Sequence, residues 1–395
     1  MKKSTGETVL VLESHAKASL PILESCAAMG LHVIAASSKR HCCGMYSRCA
    51  HQRLIYPPVD SQPQNTLQFL LDYVKGRSIS VLFPVGDVMT DLVAAHQDEF
   101  RHYTRFVLPE YSIFRTGRDK VLTLQAAEKA LCPIPRTWYP DPQNLEQIAR
   151  QCSYPVLIKP AISAGARGIT LCKDSRQLVE LFPQIQQRHG ECFVQEFVPQ
   201  SGMQYKVDAV FDFQQNLLAG VVYEKLRYYP VNGGSSVLNK TVHRPDILEE
   251  AVKVMRQMKW VGLCDFDFIA DPRDGVVKLM EINPRYPESF RATCAAGIDM
   301  TKIVYELAKG LEPAAQLEYR SDRYLRFLFG DIMWFLTTGG NRFIAKPSFF
   351  SFFRRDTVYQ VLKASDPGPA LGYMLENIIL MFDRKARIAR FQRSQ

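Results

Sequence analysis

CDFDFIA at residues 264–270, the turn DPRDG at 271–275 and KLMEINPR at 278–285 form the most informative segment of this chain. Side chains alternate across a strand, so Asp265 and Asp267 share one face of the first run, and Glu281 and Asn283 share one face of the second. The turn between the runs closes a hairpin that brings Asp267, Glu281 and Asn283 together. Acids on a solvated hairpin face account for Asp271 and Asp274. They account poorly for Glu281 and Asn283, which alternate with apolar Met280, Ile282 and Pro284. Hard oxygen donors grouped in this way suit Mg²⁺, which takes few carboxylates and completes its shell with water and phosphate oxygens. Arg285, just past the second strand, is placed to meet a phosphoryl group in transfer.

Working outward, VLIKPAISAGARGIT at 156–170 reads as a strand ending in Lys159, a loop containing Ser163, Gly165, Arg167 and Gly168, and a second strand. Small residues keep side chains out of such a loop, so its N–H groups can close over phosphate while Lys159 and Arg167 neutralise it. On its own the loop is also an ordinary β-turn. VQEFV at 194–198 ends a strand in an acid and runs into apolar sequence, a pattern that offers backbone groups to an adenine edge. GMQYKVD at 202–208 follows with a polar side chain available for a ribose, though alone the pattern is not diagnostic.

The first third of the chain has a different texture. TVLVLE (8–13), a helical pattern over 18–29 and LHVIAA (31–36) make a β-α-β unit with parallel strands. A further helix at 66–75 leads to ISVLFP (79–84). This is a small open α/β sheet, Rossmann-like in topology but without GxGxxG after its first strand, so no dinucleotide is expected. Prolines 133, 135, 140 and 142 mark a change of unit, beyond which strands become antiparallel in character.

Composition sets the outer bounds. Of 395 residues, 47% are hydrophobic and 23% charged, as in folded globular proteins, and the length calls for two or three domains. The polar start MKKSTGE does not read as a secretory leader, and no run reaches the roughly 18 apolar residues of a bilayer span. A cytoplasmic chain is expected, with its ten cysteines reduced. His41, Cys42, Cys43, Cys49 and His51 lack a CxxC pair and read as a loop rather than a zinc site. Net charge is +9, and from Arg320 to the end 13 basic residues face 6 acidic ones. FIAKPSFFSFFRR (343–355) and the run from Leu371 to Arg393 interleave this charge with aromatic and aliphatic side chains. Two occupants suit that surface: the chain's own core or a second copy in a homodimer, and an anionic membrane surface or envelope precursor, which would make the protein peripheral to the inner membrane face. No nucleic-acid motif accompanies it, so no nucleic acid is expected.

Taken in order, Asp119-Lys120, IKP with its glycine-rich loop, QEFV, DFDF and MEINPR resemble the ATP-grasp superfamily of carboxylate ligases, over about residues 8 to 312. Among its subgroups the chain looks most like carboxylate-amine ligases such as D-aspartate ligases, and it is also similar to the carbamoyl phosphate synthetase group. The resemblance implies an N-terminal pre-ATP-grasp domain (1–112), a small α+β subdomain with the glycine loop (113–195), a large α+β subdomain with the metal site (196–318), and a basic, aromatic-rich helical extension (319–395). It implies ATP and Mg²⁺ as cofactors, with Mn²⁺ able to substitute. Lys120, Lys159 and the loop with Ser163, Gly165, Arg167 and Gly168 would meet the triphosphate. Gln195, Glu196, Phe197 and Val198 would form the adenine hinge, with Gln204 where relatives usually carry a ribose-binding glutamate. Asp267, Glu281 and Asn283 match the metal ligands, Asp267 standing where several relatives have Glu or Gln. Arg285, with Lys159, would be catalytic. The implied chemistry is phosphorylation of a carboxylate to an acylphosphate that an amine attacks. Bicarbonate phosphorylation and a silent ATP-binding regulatory module are the alternatives. Lys225, Arg227 and Arg291 are candidate anchors for an anionic substrate.

Overall fold

The computed structural model describes residues 6–163, 167–231 and 234–382, organised around three sheets. In the first, β1 (Thr8–Val11), β2 (His32–Ser37), β3 (Gln52–Ile55) and β4 (Ile79–Phe83) run parallel in the order β3-β2-β1-β4. The near-continuous apolar runs of β1, β2 and β4 follow from helices on both faces. Val9, Val11, Val33 and Phe83 join one core with Leu20 and Leu23 of helix Ser19–Ala28. Leu10, Ile34 and Leu82 join another with Leu67 and Leu70 of helix Pro63–Lys75. β3 carries no such run because it is a largely exposed edge strand.

The second sheet holds β5 (Thr137–Trp138), β6 (Val156–Pro160), β7 (Thr170–Cys172) and β8 (Cys192–Glu196) in the antiparallel order β5-β8-β6-β7. The third has seven strands: β9 (Gln204–Phe211), β10 (Leu217–Tyr229), β11 (Ser235–Thr241), β12 (Gly262–Ala270), β13 (Val277–Asn283), β14 (Tyr324–Arg326) and β15 (Thr357–Tyr359), in the order β13-β12-β9-β10-β11-β14-β15. β9 is buried along nearly its whole length, being central in that sheet. Helix Pro245–Met258 covers it with Ile247, Ala251, Val254 and Met255. The first sheet is tied to the third by Arg291, whose guanidinium meets both oxygens of Glu24 at 3.0 and 2.7 Å, and by Ser25 donating to Asp299.

The segment beyond residue 319 differs from the helical extension expected of it. β14 pairs with β11 and β15 with β14, so it lengthens the large sheet before and between helices Leu328–Thr337 and Gly368–Phe382. Three-residue strands are too short to leave a periodic signal, which is why sequence reading finds only helix and charge there. Among the described residues no helix is long and apolar enough to cross a membrane.

Candidate active site

The site is built from strand registers. Across β10, β9, β12 and β13, Tyr223, Lys206, Asp267 and Glu281 stand in one row, and Val221, Asp208, Asp265 and Asn283 in the next but one. The hairpin expected from sequence therefore exists, with Asp267 directly opposite Glu281. Asn283 donates to Asp267 Oδ2 at 3.2 Å. Among the described residues no three His, Cys, Asp or Glu side chains group as a metal centre. Two carboxylates and an amide are nonetheless a donor set that suits Mg²⁺, which keeps several waters and borrows phosphate oxygens.

Asp267 is held by ammonium groups on both oxygens. Lys206 Nζ lies 3.3 Å from Oδ2 and 2.6 Å from Asp265, and Lys225 Nζ contacts Oδ1. Burial raises the Asp267 pKa, but these two lysines outweigh it and hold the carboxyl below the ordinary carboxylate range. Glu281, with 39% of its side chain exposed, forms its one ion pair among the described residues with Lys120, at 3.9 Å. Behind them Asp265 and Asp208 are buried opposite one another, and each keeps one oxygen without a hydrogen-bond partner among the described residues. Burial first, then the Asp265 charge, pushes Asp208 toward its protonated form, while Tyr223 donates to its other oxygen at 3.0 Å. Arg285 closes this end, 3.1 Å from Asp265 and 3.4 Å from Asp87, which opens the helix after β4.

The small sheet supplies the facing groups. Asp119 caps helix Lys120–Lys129, accepting from Val121 and Leu122 N–H, and so places Lys120 in the first turn. A cation there opposes the helix dipole, an arrangement stabilised once an anion arrives. Lys120 Nζ meets Ser163 O at 2.9 Å and Ser163 Oγ at 3.3 Å. Lys159 on β6 is 6% exposed and donates to Gln195 Oε1 at 3.0 Å. Burial lowers its pKa to about 8, with Lys120 acting in the same sense and Glu281 against. At the hinge, the N–H of Glu196 donates to Arg136 O and that of Phe197 to Pro155 O. The N–H of Val198, among the described residues, has no backbone partner. The Glu196 carboxylate is bound by Lys278 and Arg273 at 3.1 Å each. Gln204 donates to Gln200 at 3.0 Å.

The structure thus gathers Lys120, Lys159, Gln195, Asp267, Glu281, Asn283 and Arg285 around one cleft, and adds Lys225 beside Asp267. Gly165 lies outside the described residues, which take up the loop again at Arg167 and Gly168. Two expected substrate anchors are placed differently. Arg227 is buried against Asp331 at 3.0 Å and over the Trp334 ring at 4.3 Å, and Arg291 is spent on Glu24. The guanidinium signal was right about anions, but the anions are the protein's own. Sequence reading missed Lys206, Asp208 and Asp87. The first two interrupt an otherwise apolar strand at alternate positions, which is a legible signal; Asp87 comes from a distant unit and leaves none.

A small antiparallel sheet whose lysines face the carboxylates of a larger sheet is a two-lobed, phosphate-binding architecture. The chain belongs to the ATP-grasp superfamily: residues 119–315 match the family described as carbamoyl-phosphate synthase L chain, ATP binding domain. It is 24% identical to D-aspartate ligase of Enterococcus faecium over 265 residues, which is 62% of each chain. It is 26% identical over 182 residues to the carbamoyl phosphate synthase large chain, C-terminal section, of Methanopyrus kandleri, covering 44% of this chain and 33% of that protein. The chain therefore spans less than two thirds of the length of either relative. Its fold resembles that of Campylobacter jejuni biotin carboxylase in a beta-gamma-ATP complex, with TM-score 0.67 and 15% identity over 80% of this chain and 74% of that one.

Proposed function

We propose that the chain is an ADP-forming carboxylate-amine ligase. The observation that carries this reading is the group of oxygen donors Asp267, Glu281 and Asn283, which share one face of the β12–β13 hairpin, with Lys120 at 3.9 Å from Glu281 and Lys159 buried beside Gln195 in the small sheet. A carboxylate is a poor electrophile because its charge is delocalised, and transfer of the γ-phosphoryl group of ATP turns one oxygen into a leaving group. An amine then attacks the acylphosphate carbon, phosphate departs, and an amide remains. Such catalysis is mostly positioning and charge neutralisation, which suits a site that shows no nucleophile-base pair among the described residues. Asp267, Glu281 and Asn283 would hold Mg²⁺, which would supply neutralisation of phosphate charge.

The chain's own groups divide the work. Lys159, kept dry and oriented by Gln195, and Lys120 at its helix N-terminus neutralise the triphosphate, with Ser163, Arg167 and Gly168 closing the loop side. Val198, with Gln195, Glu196 and Phe197, presents backbone groups to adenine, and Gln204 lies toward the ribose. Arg285, braced by Asp265 and Asp87, points its charge at the phosphoryl group in transfer. Lys206 and Lys225 hold the Asp267 carboxylate ionised and oriented, and Lys225, beside that carboxylate, is the cation placed to meet a substrate carboxylate. The D-aspartate ligase likeness supports an amino acid and a second carboxylate as the substrate pair.

The test is ADP release by purified protein across a panel of amines, amino acids and carboxylic acids. Release that requires both a carboxylate and an amine is the expected result. Turnover with bicarbonate alone makes it a bicarbonate-phosphorylating enzyme, and nucleotide binding without turnover across the panel makes it a regulatory module.

A further inference from the structure

We propose that the outer face of residues 328–382 docks on an anionic phospholipid surface. Among the described residues, 26 large apolar side chains are exposed, and 13 of them fall between Ile332 and Phe382. Half of the exposed apolar side chains are thus gathered in about an eighth of the chain, a concentration far from the single scattered residues of an ordinary surface. Their spacing is helical. In helix Leu328–Thr337 the residues Gly330, Asp331 and Trp334 point inward, while Ile332, Met333 and Leu336 form an outward stripe. In helix Gly368–Phe382, Pro369, Ala370 and Gly372 are buried, while Leu371, Met374, Ile378, Met381 and Phe382 face out. Phe329 and Tyr373 touch at 5.2 Å between ring centres and join the two helices. The intervening loop adds Ile344, 75% exposed, and Phe353, 98% exposed.

The face is also rigidly presented and positively charged. Asp331, on the inward side of the first helix, is clamped by Arg227 and by Arg326 at 2.6 Å, so the outward stripe is held in place by buried ion pairs. Lys346 and Arg355 are exposed beside the apolar residues and form no ion pair among the described residues. Past Phe382 the sequence continues with Arg384, Lys385, Arg387, Arg390 and Arg393 against the single acid Asp383. Apolar stripes flanked by basic residues are what an interfacial helix offers an anionic bilayer: side chains for the acyl boundary, cations for the headgroups. At 15 residues the second helix is too short to span. A second copy fits less well, because a two-fold contact would set two faces of the same net charge against each other. This inference stands apart from the ligase reading, since among the described residues no hydrogen bond or ion pair joins residues 328–382 to Asp267, Glu281 or Asn283.

The test is co-sedimentation of the full chain with vesicles of phosphatidylcholine alone and of phosphatidylcholine with phosphatidylglycerol. Binding is expected only to the second, and it should be lost in about 1 M salt. The double variant Lys346→Glu/Arg355→Glu should weaken it by about thirtyfold or more, at about fivefold per cation removed plus the added repulsion. Ile344→Gln/Phe353→Ser should weaken it at unchanged charge. All four substitutions are at exposed positions, and unaltered thermal unfolding checks that the variants fold. Failure to sediment with either vesicle, or equal binding to both, overturns the proposal. So does a concentration-dependent dimer in light scattering that Leu336→Gln/Phe353→Ser dissociates, because the face is then a contact between copies.

Discussion

Glu281 has its carboxylate at the open edge of a row whose other acid, Asp267, is held by two lysines, while Glu281 meets only Lys120 at 3.9 Å among the ion pairs of the described residues. Replacing it by Gln removes one of two charged metal donors while keeping shape, so metal-dependent ADP release should fall by about a hundredfold or more, with thermal unfolding unchanged. Full activity in Glu281→Gln would refute the metal assignment. Lys159 gives a second test at this scale. Its pKa is lowered from 10.5 to about 8, chiefly by burial. Between those values the unfolded chain holds the proton and the folded one does not, so stability rises with pH across that window. The gain is on the order of 3 kcal/mol. Urea unfolding followed from about pH 7.5 to 10 should show that rise, and Lys159→Met should flatten it; an unchanged slope would place the titrating group elsewhere.

At the scale of elements, the last segment is anchored by charge as much as by apolar contact. Arg227 on β10 and Arg326 on β14 converge on Asp331 of helix Leu328–Thr337, and Arg326 also donates to Phe349 O at 2.6 Å. Asp331→Ala would leave two guanidiniums buried without their partner, a loss of about 3–5 kcal/mol. The exposed pair Arg354–Asp356 on the same segment is a useful control: Arg354→Ala should cost less than about 1 kcal/mol. Denaturant midpoints of the two variants decide the matter, and equal losses would mean that the buried cluster does not anchor the helix.

For the molecule as a whole, the cleft lies where all three sheets converge. Arg285 reaches Asp87 behind the parallel sheet, and Lys120 reaches Glu281 from the small lobe. A ligand seated there ties the lobes together and stabilises the folded state by mass action, about 2.7 kcal/mol at a hundredfold excess over its Kd. ATP with Mg²⁺ should therefore raise the melting temperature by a few degrees. Chelation by EDTA should remove most of that rise, and Glu281→Gln should behave as the chelated wild type does. A shift that survives both treatments would separate nucleotide binding from the oxygen-donor row.

Much of this protein was written locally. Period-two alternation in β12 and β13 was enough to pair Asp267 with Glu281, because strand geometry assigns faces without reference to the rest of the fold. The unbroken apolar runs of β1, β2 and β4 marked a sheet covered on both sides. Other features have no local cause. Whether a guanidinium meets a substrate or an aspartate depends on what packs against it, so Arg227 and Arg291 could be assigned only once Asp331 and Glu24 were in place. The same holds for the short strands β3, β14 and β15, whose pairing depends on a neighbouring strand rather than on their own sequences. The sequence by itself determined which residue types share a strand face; tertiary structure alone decided which charges those faces meet, since Coulomb partners are chosen by distance in space and not along the chain.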